Sequence, residues 1–75
     1  MTRRMPTPAE VEALRDKYPT GTRIRLVQMQ DDDPVPSGTC GSVMFVDDAG
    51  GVHVAWSNGS TLAAIHGIDI IRRID

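Results

Sequence analysis

A chain of 75 residues has room for one domain, and its single cysteine excludes an internal disulfide. Eight basic and ten acidic residues give a net charge of −2, so no overall positive field draws the chain onto nucleic acid. No segment approaches the roughly 20 apolar residues that span a bilayer, so we expect a soluble cytoplasmic protein, with a flexible N-terminus over residues 1–6 and one domain over residues 7–75.

The first predicted element is a helix over residues 7–18. Thr7 and Glu10 match a capping box, and Pro8 takes the first helical position, where its missing N–H costs nothing. An apolar stripe at helical spacing follows, formed by Val11, Leu14 and Tyr18. A helix this short does not persist alone in water, so the stripe is expected to dock on the rest of the domain.

From Thr22 onward the apolar period changes to two, which is typical of half-buried strands. Strands are predicted from residue 22, over 42–46, over 52–56, after the turn at 58–59, and over 70–74. Residues 31–38 form a polar loop whose prolines exclude a central strand. Five short strands with frequent turns predict a mostly β fold, a small closed or nearly closed barrel over residues 22–75.

Asn58 and Gly59 carry the strongest hairpin signal in the chain. Both residues tolerate the positive φ that a two-residue type I′ turn demands. Such a turn places three pairs on the main core face of the sheet: Trp56 opposite Thr61, Val54 opposite Ala63, and Val52 opposite Ile65. His53 and Leu62 are then expected on the other face.

Three stretches carry a resemblance to known proteins. GTCGSV at 38–43, VDDAG at 46–50 and VHVAWSNG at 52–59 resemble the second-to-fourth strands of SH3-like barrels. The longer run from Pro8 through Tyr18-Pro19 and 21–26 to Asp69 resembles the bacterial and phage family called domain of unknown function 4314. The resemblance implies a five-stranded SH3-like barrel with one short N-terminal helix, and a phage or mobile-element setting. It implies no activity.

The residue types that carry catalysis or bind metals are few and badly spaced. Cys40, His53 and His66 include no pair with zinc-ligand spacing. The acidic run at 31–33 lacks the alternating ligands and closing glutamate of a calcium loop. A cysteine–histidine pair needs an orienting group and an oxyanion pocket, which nothing in the sequence places. We therefore expect no enzyme, no metal and no cofactor.

Two surfaces remain as candidate sites. A partner-binding surface near the long loop and the hairpin turn is predicted from Asp31, Asp32, Asp33, Trp56 and Asn58. Trp56 is also expected to pack in the core, with its indole N–H bonded at the rim. The resemblance to SH3-like barrels implies that the first and last strands pair, which would bring Arg23 and Arg25 beside Arg72 and Arg73 as a candidate phosphate-binding stripe.

The favoured expectation is a non-enzymatic binding or adaptor module that acts through contacts with another protein, alone or as a homo-oligomer. One alternative is a phage-encoded inhibitor of a bacterial defence system, in which the acidic loop mimics phosphate charge, or a protein that sequesters a nucleotide signal. Either would act through the acidic loop or through an oligomer interface. A further alternative is a nucleic-acid-binding barrel that uses the arginine stripe, which the net charge of −2 disfavours. No membrane partner is expected.

Overall fold

The computed structural model describes residues 5–75, so most of the predicted flexible N-terminus, residues 1–4, lies outside the described residues. The elements in chain order are α1 (Pro8–Lys17), β1 (Arg23–Gln28), β2 (Cys40–Val46), β3 (Gly51–Trp56), β4 (Ala64–Ile65) and β5 (Ile70–Arg73). Within residues 5–75, no helix has both the length and the apolar character needed to cross a membrane.

Helix α1 begins and ends where its capping residues predict. The Glu10 amide donates to Thr7 Oγ1 at 3.2 Å, and the Thr7 amide donates to the Glu10 carboxylate at 3.1 Å, so the capping box is confirmed. The helix ends at Lys17, with Tyr18 as its C-cap. The predicted apolar stripe is buried against the sheet, which supplies the docking that a ten-residue helix requires.

The five strands form one antiparallel sheet in the order β4-β3-β2-β1-β5, which confirms the mostly β fold. Alternate residues of the strands point to one side and build the core with the helix stripe; Ile24, Leu26, Val43, Val52 and Val54 are its most deeply buried members. β4 and β5 are the two edges of this sheet. They follow each other in the chain, joined by residues 66–69.

The carboxylate of Asp69 ties this connection to both sides of the sheet. It accepts one hydrogen bond from the Ile65 amide of β4 and another from the Gln30 amide after β1, each at 2.8 Å. The Asp69 amide in turn donates to the Ile65 carbonyl. Two donors from distant segments therefore converge on one side chain, which links the edge strand β4 to the segment that follows β1.

The predicted register of the hairpin between β3 and β4 is wrong by one residue. Val52 pairs with Ala64 instead of Ile65, and the Trp56 amide donates to the Ser60 carbonyl. Gly59 takes φ +88°, whereas Asn58 keeps a negative φ. The connection is thus a three-residue loop with a glycine bulge, not a type I′ turn.

The register change reverses the faces assigned to β4 but not those assigned to β3. Val54 and Trp56 are buried as predicted, and His53 is only half-buried. On the other side of the hairpin Ala64 is buried, while Thr61 is exposed and Ile65 is half-buried. The core face of β3 is therefore confirmed, and the assignment of Thr61, Ala63 and Ile65 to that face is wrong.

Candidate functional site

The structure brings the acidic loop and the hairpin turn together around one cleft. This loop–turn cleft has a volume of about 300 Å³ and is lined by Asp31, Asp33, Pro34, Val35, Asn58, Ser60 and Leu62. Its two walls are separated by more than twenty residues in the sequence. The predicted partner-binding surface therefore has a concave centre, and Asp32 belongs to the same loop without lining it.

Local hydrogen bonds fix both walls of the loop–turn cleft. Asp31 Oδ1 accepts from the Asp33 amide at 3.0 Å, which bends the loop, and Asn58 Oδ1 accepts from the Ser60 amide at 3.0 Å, which bends the turn. Val35 is buried and anchors the loop to the core. The cleft is consequently a shaped surface with two carboxylates and an amide at its rim.

Trp56, a predicted member of the same partner-binding surface, lies in the core with 3% of its surface exposed. Its indole N–H donates to the Leu62 carbonyl at 2.8 Å, as expected of a rim tryptophan. Leu62 lines the loop–turn cleft, so the hydrogen bond from Trp56 to Leu62 helps to position one wall of the cleft. Its own ring offers little area to a partner.

Three of the four stripe arginines share the outer face of the sheet. β1 and β5 pair antiparallel with Arg25 directly opposite Arg72, and Arg23 lies two residues before Arg25 on the same exposed face. Directly opposed residues of an antiparallel pair point to the same side, so the side chains of Arg25 and Arg72 leave the sheet on the same face. We call Arg23, Arg25 and Arg72 the outer arginines.

Arg73 lies on the opposite side of β5, because it is the neighbour of Arg72 in an extended strand. Its guanidinium donates to the Lys17 carbonyl at the end of α1, at 2.7 Å, and to the Asp75 carboxylate, at 2.8 Å. The hydrogen bond from Arg73 is the largest of the effects that lower the pKa of Asp75. Arg73 therefore contacts the end of α1 and Asp75 near the C-terminus, and it does not belong to the outer arginines.

A second concavity, which the sequence reasoning missed, lies between the helix and the two sheet edges. This helix–edge groove has a volume of about 370 Å³ and an apolar lining contributed by Ala13, Leu14, Tyr18, Val52, Ala64, Ile65, Ile70 and Ile71. Four charged or titratable residues complete it: Glu10, Lys17, His66 and Asp69. Its size falls in the range of ligand and peptide pockets.

The one sequence signal for this groove was an excess of isoleucines in the last strand. Ile70 and Ile71 are adjacent, so one of them must leave the core face, and Ile70 is 51% exposed. The other lining residues come from α1, β3 and β4, and their convergence depends on how the sheet curls. Periodicity alone does not carry that information.

A charged and aromatic cluster occupies the turn between β2 and β3. His53 stacks on Phe45 with ring centroids 4.2 Å apart, and its Nε2 lies 2.7 Å from Asp47 Oδ2. Burial acts to raise the pKa of Asp47, but hydrogen bonds with His53 and with the amides of Gly51 and Ala49 outweigh it and lower that pKa. These contacts all serve the turn, so we assign the cluster a structural role.

Cys40 lies on β2 opposite Arg25, and His66 lines the helix–edge groove. Over residues 5–75, no group of three or more histidine, cysteine or acidic side chains is arranged to hold a metal ion.

The comparison with protein families gives one result. The family model described as domain of unknown function (DUF4314) matches residues 7–74, nearly the whole chain, and the chain belongs to this family. No match was found among curated proteins or among solved structures.

Proposed function

We propose that this member of a family without an assigned activity is a small, non-enzymatic binding module that contacts another protein through the loop–turn cleft. One observation carries the proposal: Asp31 and Asp33 line the same concave surface as Asn58, although the sequence separates them widely. Two carboxylates beside an amide favour a partner segment with lysine or arginine side chains. We place the module in the bacterial cytoplasm, as a component of a phage or mobile element.

The chemistry of the cleft limits what the module recognises. Asp31 and Asp33 are exposed, so they attract a basic partner over roughly one Debye length, about 8 Å at physiological salt. Leu62 adds an apolar contact at the wall, where about a third of its surface is exposed. Charge sets orientation and association rate, and the apolar contact contributes to the lifetime of the complex.

Site-specific cross-linking tests the location of the interface. A photoreactive side chain at Asn58 should capture a protein in cells that carry the gene, and the same group at Glu12, on the exposed face of α1, should not. Equal capture at both positions would contradict the proposal.

The purified partner then tests the chemistry. The double substitution Asp31→Asn with Asp33→Asn keeps the loop-bending acceptor but removes two charges, and should weaken binding by about tenfold, equivalent to about 1.4 kcal/mol. Asp32→Asn removes one charge from the same loop and serves as the control, because Asp32 does not line the cleft, and affinity should change less than twofold. An equal loss in both variants would point to a general charge effect.

The outer arginines favour a second candidate function, nucleic-acid binding. Arg25 and Arg72 stand directly opposite each other and Arg23 continues their line, so three cations share one exposed face. Phosphate oxygens are their natural ligands. The net charge of −2 and the acidic loop oppose approach of a polyanion, which is why this candidate ranks second.

An inhibitor of a bacterial defence system, or a protein that sequesters a nucleotide signal, is an alternative to the adaptor. In the inhibitor, the carboxylates of Asp31 and Asp33 occupy a phosphate-binding site on the target enzyme. The cross-linking experiment separates it from an adaptor, because the captured partner is then an enzyme whose phosphate-containing substrate competes with the module.

A further inference from the structure

We propose that the open edge of β5 accepts an extended segment of another protein whose residues alternate between apolar and acidic. The segment adds a sixth strand to the sheet, places its apolar side chains in the helix–edge groove, and pairs its acidic side chains with Arg72. This surface is separate from the loop–turn cleft, so each of the two proposals can be tested without the other.

Backbone geometry identifies β5 as an open edge. The Ile74 amide donates to the Arg23 carbonyl, so this pair is hydrogen-bonded, and by alternation so is the pair of Arg72 and Arg25. The intervening residues Ile71 and Arg73 must then turn their N–H and C=O groups away from β1. Within residues 5–75, those groups have no strand beside them, because β5 ends the sheet.

The other edge of the sheet is protected by contrast. On β4 the outward N–H of Ile65 donates to the Asp69 carboxylate, and the Ile65 carbonyl accepts from the amides of Ile68 and Asp69. β4 therefore has its outward polar groups satisfied within the chain. An added strand finds free donors and acceptors on β5 only, among the edges described.

The groove decides what one face of the added strand must be. Ile71 points towards the core and lines the helix–edge groove together with Ala13, Leu14 and Ile65. Side chains of an added strand that lie beside Ile71 enter this apolar space. Apolar side chains there gain roughly 25 cal/mol for each Å² of surface removed from water, whereas charged ones lose their hydration.

The outer arginines decide what the other face must be. Residues of the added strand that lie beside Arg72 project on the outer face, where Arg25 is one strand further in. Carboxylates at those positions lie beside the guanidinium group of Arg72, whereas lysines would meet a like charge. The same argument opposes a second copy of this chain, because pairing β5 with itself brings arginines together.

The probe is an acetylated, amidated hexapeptide of alternating glutamate and valine, titrated into the 15N-labelled full chain. The expected shifts concentrate at Ile71, Arg73 and Ala13, with Asn58 unchanged. A peptide with lysine in place of glutamate should bind at least tenfold more weakly. Shifts confined to the loop–turn cleft, or equal binding of both peptides, would overturn the inference.

Charge reversal supplies a matched pair of variants. Arg72→Glu should weaken binding of the glutamate peptide by about tenfold and strengthen binding of the lysine peptide. Arg23→Glu makes the same charge change on the same face but away from the open edge, and should alter affinity less than threefold at 0.15 M salt. Both residues are exposed, and the fluorescence of Trp56 verifies that each variant is folded. An equal loss of affinity in both variants would overturn the inference.

Backbone methylation separates strand addition from adhesion to the groove. N-methyl groups on one alternate set of peptide amides should abolish binding, and on the other set should leave the affinity within twofold, because only one set faces β5. Equal effects of the two sets would refute the added strand. If instead an octathymidylate binds more tightly than the peptide, and both Arg23→Glu and Arg72→Glu weaken that binding, the face recognises nucleic acid and the inference is wrong.

Discussion

Gly41 in β2 lies where the sheet has no room for a side chain. A Cβ atom added there would stand 2.6 Å from Val54 Cγ1, 2.8 Å from the Ala55 carbonyl oxygen and 3.1 Å from Trp56 Cε3. Val54 is fully buried and Trp56 is held by the hydrogen bond from its indole, so neither can rotate aside. Gly41→Ala must therefore separate β2 from β3 or displace the core.

The expected cost follows from these contacts. Overpacking a core costs roughly 1–3 kcal/mol, and the contact with a backbone oxygen places Gly41→Ala near about 3 kcal/mol. A chain of 75 residues has a total stability of about 4–11 kcal/mol. Each kcal/mol corresponds to about 4–8 °C in a domain of this size, so the melting temperature should fall by about 12–24 °C.

Gly38→Ala is the matched control. Gly38 takes φ +91° but an added Cβ would meet nothing within 4 Å, so its cost is conformational, about 1–2 kcal/mol. Urea unfolding followed by the fluorescence of Trp56, the single tryptophan, measures both variants. If Gly41→Ala costs no more than Gly38→Ala, β2 does not pack against β3 as closely as these contacts require.

Two further predictions concern charge. The pKa of Asp47 is lowered in the folded state, so the ionised carboxylate stabilises the fold. This stabilisation is complete above the unfolded pKa near 3.8 and is lost as the pH falls through the folded pKa. The urea midpoint of Asp47→Asn should therefore fall less on acidification than that of the wild type. If the outer arginines bind duplex DNA, three phosphate contacts give a slope of about −2.7 for the logarithm of the binding constant against the logarithm of the salt concentration. Replacing Arg23 and Arg25 with alanine should make this slope shallower by about two. A slope that those substitutions leave unchanged would exclude these contacts.

Local patterns in the sequence correctly predict the elements that interactions between neighbouring residues determine. The capping box of Thr7 and Glu10 fixes the start of α1, and the alternation in β3 places Val54 and Trp56 in the core. These features depend on neighbouring residues and on a period of two. The family resemblance added the order of the elements, and the match to residues 7–74 confirms the family.

The candidate sites were predictable only where sequence neighbours define them. The acidic run and Asn58 were recognisable, but their meeting in one cleft depends on the path of the 31–38 loop, which Val35 anchors from a distance. Pairing of the first and last strands predicts Arg73 beside the other arginines, yet Arg73 is the neighbour of Arg72 in an extended strand, so the two side chains lie on opposite faces. The helix–edge groove could not be predicted from local patterns, because its lining depends on the curvature of the whole sheet.

The hairpin register was mispredicted because Asn-Gly suits two kinds of loop. It fits both central positions of a type I′ turn, and it equally fits the last two positions of a three-residue loop that ends in a glycine bulge. Ser57 decides between them here: its amide donates to the Cys40 carbonyl, and the loop becomes 57–59. One residue more in the loop shifts every pair of the hairpin.

Two single-residue deletions test this explanation. Deleting Ser57 should leave a two-residue Asn58-Gly59 turn between Trp56 and Ser60, so that Val52 still pairs with Ala64 and the fold survives.

Deleting Thr61 shortens the hairpin equally but moves Ala64 to the outer face and shifts Leu62, whose carbonyl accepts the indole N–H. We expect the second deletion to be at least about 2 kcal/mol less stable, since it displaces a buried residue and breaks a partly buried hydrogen bond. Cross-strand contacts between the amide protons of 52 and 64, seen by NMR in the Ser57 deletion, confirm the retained pairing. If the Ser57 deletion unfolds while the Thr61 deletion persists, the loop length does not set the register.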